Sequence, residues 1–95
     1  MLSEKQVEAK LKAKVEKLGG KALKFVSPGL SGVPDRLVFM PGGRIFLVEL
    51  KKPGGELSSQ QVKRKKEFEA LGFKYYVIDS YEKVEGFIKE VKGFD

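Results

Sequence analysis

Two apolar runs, Arg36 to Met40 and Arg44 to Leu50, are separated only by Pro41-Gly42-Gly43. Strand-length runs joined by so short a Pro-Gly loop read as an antiparallel hairpin. Side chains alternate between the faces of a strand, so a slip of one residue in the pairing moves every side chain to the other face. In a three-residue loop, with Pro41 opening a type I turn and Gly43 in the left-handed position, Met40 pairs with Arg44. Counting outward, Asp35 then comes opposite Glu49. A two-residue loop would send the two carboxylates to opposite faces. The expectation is therefore the three-residue loop, or a bulge that compensates for another.

The register matters because of the residues it brings together. Gly32-Val33-Pro34-Asp35 leads into the first run, and Glu49-Leu50-Lys51 closes the second. Glu49 and Lys51 share a strand face with Ile45 and Leu47. Glu49 also interrupts a run that otherwise reads as a buried strand, and burying an unpaired carboxylate is costly. Taken singly, Asp35 could be an ordinary turn residue after Pro34, and Glu49 a solvated residue on an edge strand. A shared cation accounts for both. Hydrolysis of an anionic phosphodiester needs a hard cation held by carboxylate oxygens and a further positive group beside the attacking water. Asp35 and Glu49 are the candidate cation ligands, and Lys51 is the candidate positive group.

Composition narrows the chemistry further. The chain has neither cysteine nor histidine, which excludes disulfides, thiol nucleophiles, imidazole catalysts and cysteine or histidine zinc sites. Oxygen ligands remain, and they suit magnesium or manganese. A formal net charge of +6 favours a polyanionic partner. The length of 95 residues reads as one domain, residues 1–95, with a single modest core. No apolar run is long enough to cross a membrane and no secretory signal is recognisable, so a soluble, cytoplasmic protein is expected.

The remaining punctuation gives the order helix, strand, strand, strand, helix, strand, helix. The first helix should run from a Ser3 cap to Leu18, where Gly19-Gly20 stops it. Val7, Leu11, Val15 and Leu18 form its apolar stripe. At about 100° per residue Glu4 falls within roughly 25° of the centre of that stripe, and Glu8 about 65° off. Glu4 is thus the candidate for a third acidic group in the site; the alternative is that it complements the helix dipole in water. Leu23 to Val26 reads as a strand, and Ser27 to Val33 as a mobile loop bordering the substrate groove. Pro53-Gly54-Gly55 follows Lys51-Lys52, and the next helix starts near Ser58 or Ser59 and stops before Gly72.

That helix carries Lys63-Arg64-Lys65-Lys66, a run that points around most of the helix, so some members are simply solvated. The candidate DNA contacts are Ser31, Gly32, Lys52, Lys63 and Arg64. Phe73 to Ile78 reads as a buried strand and Tyr81 to Val91 as a closing helix with Val84, Phe87, Ile88 and Val91 inward. Phe25, Phe39, Phe46, Tyr75 and Tyr76 are assigned to packing.

Laid out in this order, the chain resembles the virus-type replication-repair nuclease domain (VRR-NUC), a branch of the PD-(D/E)XK nuclease superfamily. The resemblance covers nearly the whole chain. It rests on Glu4, Gly32-Val33-Pro34-Asp35, Pro41-Gly42-Gly43, Glu49-Leu50-Lys51 and Leu57-Ser58-Ser59-Gln60-Gln61. It implies an α/β fold with a restriction-endonuclease-like core in the order α-β-β-β-α-β-α, a central mixed sheet flanked by helices. It also implies Asp35 and Glu49 as ligands of Mg2+ or Mn2+, the Leu50 backbone carbonyl as a further ligand, Lys51 as the catalytic lysine, and Glu4 as the acidic residue of the first helix. In the family's Leu-Ser-x-x-Gln pattern the matching glutamine is Gln61, which would orient Lys51 or the water. Helical phase does not separate Gln61 from Gln60, because Phe68 and Leu71 define an apolar face between them.

The resemblance extends to biology. It implies a stand-alone phage or bacterial protein, a homodimer that cuts four-way DNA junctions in repair and recombination, which is a Holliday junction resolving enzyme. A nickase or flap-type nuclease on other DNA is the rival among enzymes. A non-catalytic basic nucleic-acid-binding module, with structural carboxylates, is the rival outside them.

Overall fold

In the computed structural model, which describes residues 2–92, the hairpin pairs Met40 with Arg44 and Arg36 with Val48. This is the register of a three-residue loop, and it carries Asp35 to the position opposite Glu49. The turn itself differs from the expected type I. Gly42 and Gly43 both have positive φ, 89° and 73°. A positive φ directly after Pro41 belongs to a type II turn, which glycine at that position adopts at no steric cost. Loop length, not turn type, fixed the pairing.

The elements follow the expected order: α1 (Glu4–Lys17), β1 (Lys21–Lys24), β2 (Arg36–Met40), β3 (Arg44–Leu50), α2 (Ser59–Ala70), β4 (Lys74–Ile78) and α3 (Tyr81–Lys92). The strands lie side by side as β1-β2-β3-β4 in one mixed sheet. The first two pairings are antiparallel, and β3 and β4 are parallel because α2 makes the crossover between them. β1 begins two residues before the expected Leu23 and ends at Lys24, which pairs with Arg36 at the start of β2. Beyond Arg36 the partner strand has ended. Apart from one bond from the Phe25 amide to the Asp35 carbonyl, 3.0 Å, the chain leaves the sheet there, and Val26 is 76% exposed.

One face of the sheet holds the core. α1 starts with a capping box in which Ser3 and Gln6 satisfy each other's amides, and it buries Val7, Leu11 and Val15. α3 buries Val84, Phe87, Ile88 and Val91, and both helices pack on Ala22, Val38, Met40, Phe46, Val48, Leu50 and Ile78. The other face is only partly covered, because α2 has no buried residue. Phe25, Leu37, Phe39, Ile45, Leu47, Phe68 and Phe73 line an apolar groove there of about 180 Å3. Phe39, expected to pack, stays 37% exposed along it.

Gly20 marks the tightest approach between α1 and the sheet. A Cβ there would lie 2.6 Å from the Phe39 carbonyl oxygen and 2.7 Å from Met40 Sδ. Gly20→Ala should therefore destabilise the domain by about 1–3 kcal/mol. Urea unfolding should show this as a lower midpoint with an unchanged slope.

Candidate active site

Where β2 begins and β3 ends, the hairpin register delivers its two carboxylates to the face toward α2. Asp35 is fixed across the pair, its Oδ2 accepting from the Leu50 amide at 2.7 Å. Glu49 is 2% exposed, as its place within an apolar run requires. Its Oε2 accepts from Gln61 Nε2 at 3.0 Å and lies 3.6 Å from Lys51 Nζ. Its Oε1 is buried with no hydrogen-bond partner among the described residues. Lys51 is held by its backbone, whose amide donates to the Ile78 carbonyl at 3.0 Å as β3 leaves the sheet.

Gln61 reaches the site through its place in the helix. Ser58 caps α2, its hydroxyl accepting from the Gln61 amide at 3.1 Å, and Gln61 Oε1 accepts from the Ser58 amide at 2.9 Å. With Oε1 committed to a backbone N–H, the Nε2 end must be the donor to Glu49. The capping box therefore fixes the orientation of the amide. Gln60, which helical phase left as an alternative, is exposed.

Electrostatically the site is loaded. Burial pushes the Glu49 carboxyl up to about 8, a proton shared with the adjacent Asp35 carboxylate and that carboxylate's charge add to the rise, and Lys51 opposes it. Such a group would rather hold a proton than a charge. Oxygen donors of this kind, one of them buried and unpartnered, suit a hard divalent cation, and the donor set contains nothing softer.

The acidic residue of α1 needs correcting. Glu4 is exposed in the first turn, while Glu8 is half-buried and its Oε2 accepts from Arg36 Nε at 2.9 Å and Nη2 at 2.8 Å. Phase gives an angle around the helix but not a height along it, and Glu4 sits about 6 Å further along the axis than Glu8, in the exposed first turn. Among the described residues no three acidic side chains converge on one point. Glu8 works on the opposite face, through Arg36. Arg36 is 9% exposed and also donates from Nη1 to the Ala22 carbonyl at 2.8 Å, which ties α1, β1 and β2 together one residue from Asp35. Alternation held the clue: if Asp35 faces α2, Arg36 faces α1, and a buried guanidinium there needs a carboxylate.

Arg64, expected to contact DNA, is engaged within the protein. Its Nε donates to the Ser31 carbonyl at 2.8 Å and its Nη1 to Glu67 at 3.1 Å, with the side chain 11% exposed. Gly32 has φ 80°, and a Cβ there would lie 2.9 Å from the Gln60 backbone. The loop before Asp35, expected to be mobile, is thus fastened to α2. Lys52 and Lys63 remain exposed.

Fold and site together define a nuclease-type α/β domain. Residues 1–82 match the family model for the VRR-NUC domain. A solved structure described as a VRR_NUC domain superimposes with a TM-score of 0.85 at 32% identity, over 90% of this chain and 94% of that one. "Putative nuclease p44" of Acyrthosiphon pisum secondary endosymbiont phage 1 is 45% identical over 80 residues, 84% of this chain and 86% of that protein. The chain belongs to the VRR-NUC domain family and is a nuclease. No helix among the described residues is long and apolar enough to cross a membrane.

The raised Glu49 carboxyl carries a stability signature. Between pH 4.5 and about 8 the folded protein keeps a proton that the unfolded chain has released, so this group's contribution to stability falls as pH rises through that window. Glu49→Gln should remove the slope. In the absence of divalent cations the variant should melt above the wild type at pH 8.5, each kcal/mol being worth about 4–8 °C in a domain of this size. The gap should shrink toward pH 5, as read by thermal melts across the range.

Proposed function

We propose that the chain is a divalent-cation-dependent, structure-selective DNA endonuclease whose substrate is a four-way junction. The observation that carries the catalytic part is Glu49 Oε1, a buried carboxylate oxygen without a partner, beside a second carboxylate at Asp35. Asp35, Glu49 and the Leu50 carbonyl would hold Mg2+ or Mn2+, which supplies Lewis acidity at the scissile phosphate and a more acidic bound water. Lys51 Nζ, already within 3.6 Å of Glu49, orients the attacking water and offsets charge as it develops on the phosphate oxygens. Gln61 restrains Glu49 Oε2, which leaves Oε1 as the free donor. Exposed Lys52 and Lys63 meet the phosphate backbone, while the Ser31-Gly32 loop, braced by Arg64, borders the groove.

Cutting two opposed strands of a junction takes two such sites, and a two-fold dimer supplies them. The half-covered apolar groove supports this part. Its walls carry Ile45 and Leu47, on the same strand face as Glu49, and a second copy packed there would set two sites on one assembly. A flap or nicked duplex is the alternative substrate. A set of labelled junction, flap and linear duplexes, with solution mass recorded, separates these readings by cut position and by stoichiometry.

Asp35→Ala, Glu49→Ala and Lys51→Ala should each abolish cation-dependent cleavage of a labelled four-way junction while the far-UV circular dichroism spectrum is retained. Retained cutting by Glu49→Ala would sink the mechanism. Salt-sensitive binding with no cleavage in Mg2+ or Mn2+ would instead identify a binding module. Because a cation must displace the proton that Glu49 holds up to about pH 8, cleavage at limiting Mg2+ should rise with pH up to that value. The rate below it should drop by about tenfold per pH unit.

A further inference from the structure

Tyr75 and Tyr76 are adjacent on β4 and face opposite sides of the sheet. Tyr76 lies on the core side, against Phe46 and Phe87, and its hydroxyl donates to Glu90 Oε2 at 2.6 Å. Tyr75 lies on the other side. In the parallel register Leu47 pairs with Tyr75 and Glu49 with Val77, so Tyr75 shares the α2-facing side with Glu49 and is its diagonal neighbour. It is 7% exposed, beneath α2, with Lys65 Nζ 5.8 Å from its ring centroid. Among the described residues just two buried side-chain polar atoms lack a hydrogen-bond partner: the Tyr75 hydroxyl oxygen and Glu49 Oε1.

The coincidence has a physical reading. A buried hydroxyl without a partner destabilises the fold, and phenylalanine would fill the same space without that cost. The neighbouring groups are acceptors. Burial, and then the charges of Glu49, Asp35 and Glu69, push the phenol up and keep its proton in place. The Tyr75 hydroxyl is therefore an unpartnered donor in the cation-free protein, on the same sheet face as the other unpartnered oxygen, Glu49 Oε1.

We infer that Tyr75 is a positioning residue of the cation centre, its hydroxyl buried on the Glu49 face and held ready to donate a hydrogen bond to the oxygen shell around a bound cation. Such outer groups orient a ligating carboxylate and stabilise its charged form. The role sharpens the packing assignment made from sequence. It rests on the cation-centre reading above.

The test compares wild type, Tyr75→Phe and Tyr76→Phe by calorimetric titration with Mn2+ and by thermal melts without cation. Tyr75→Phe should bind Mn2+ about tenfold more weakly, with a melting temperature equal to or above the wild type. Tyr76→Phe should melt lower, having lost its bond to Glu90, with unchanged Mn2+ affinity. Wild-type affinity in Tyr75→Phe would overturn the inference alone. So would a lower cation-free melting temperature in that variant, since the hydroxyl would then already have a partner. A wild-type protein that binds no Mn2+ would overturn the cation centre and this role with it.

Discussion

Burying Glu49 in the middle of β3 takes an ionisable group out of water, at a cost on the order of several kcal/mol per charge, and the surrounding elements are arranged around that cost. Lys51 comes from the exit of the same strand, Gln61 from the capped start of α2, and Asp35 from the entry to the neighbouring strand. Lys51 and Gln61 offset only part of the penalty, and Asp35 adds to it. That is why the carboxyl is pushed to about 8 and one of its oxygens has no partner. A fold selected for stability alone would place an apolar residue here, and the proposed cation centre would account for the imbalance.

The contrast with Arg36 sharpens the point. Asp35 and Arg36 are consecutive, and strand alternation sends them to opposite faces. On the α1 side the buried guanidinium is fully matched, by Glu8 and the Ala22 carbonyl. On the α2 side the buried Glu49 carboxyl, beside half-buried Asp35, is not. One residue step separates a charge that holds three elements together from a carboxylate placed beside the unpartnered Glu49 oxygen.

Much of this was legible because period-two alternation and loop length are local rules. The spacing of Pro41-Gly42-Gly43 between its two runs fixed the Asp35–Glu49 register even though the turn type was misread. The starts of α1 and α2 were marked by Ser3 and Ser58. What escaped depended on distance along an axis or on tertiary partners. Angle favoured Glu4 over Glu8 although the two differ by a turn in height, β1 stopped where β2 stopped offering hydrogen bonds, and Arg64 found a loop carbonyl that no sequence pattern announces. Gln61 was separated from Gln60 by family resemblance; helical phase could not do it, although the Ser58-x-x-Gln61 spacing of the capping box that aims the amide also marks it.

α2 contributes no buried residue, yet it carries Gln61, braces the loop before Asp35 and covers part of an apolar sheet face. A helix with so little hydrophobic anchorage belongs to the low end of a protein's range of local opening free energies. Its amides are expected to exchange with solvent well before those of α1. What keeps it closed includes its bonds to Glu49 and Ser31, so the helix and the site form one cooperative unit. Occupancy of Glu49 by the proposed cation would then change how often that helix opens, and amide exchange along α2 would gauge it from within.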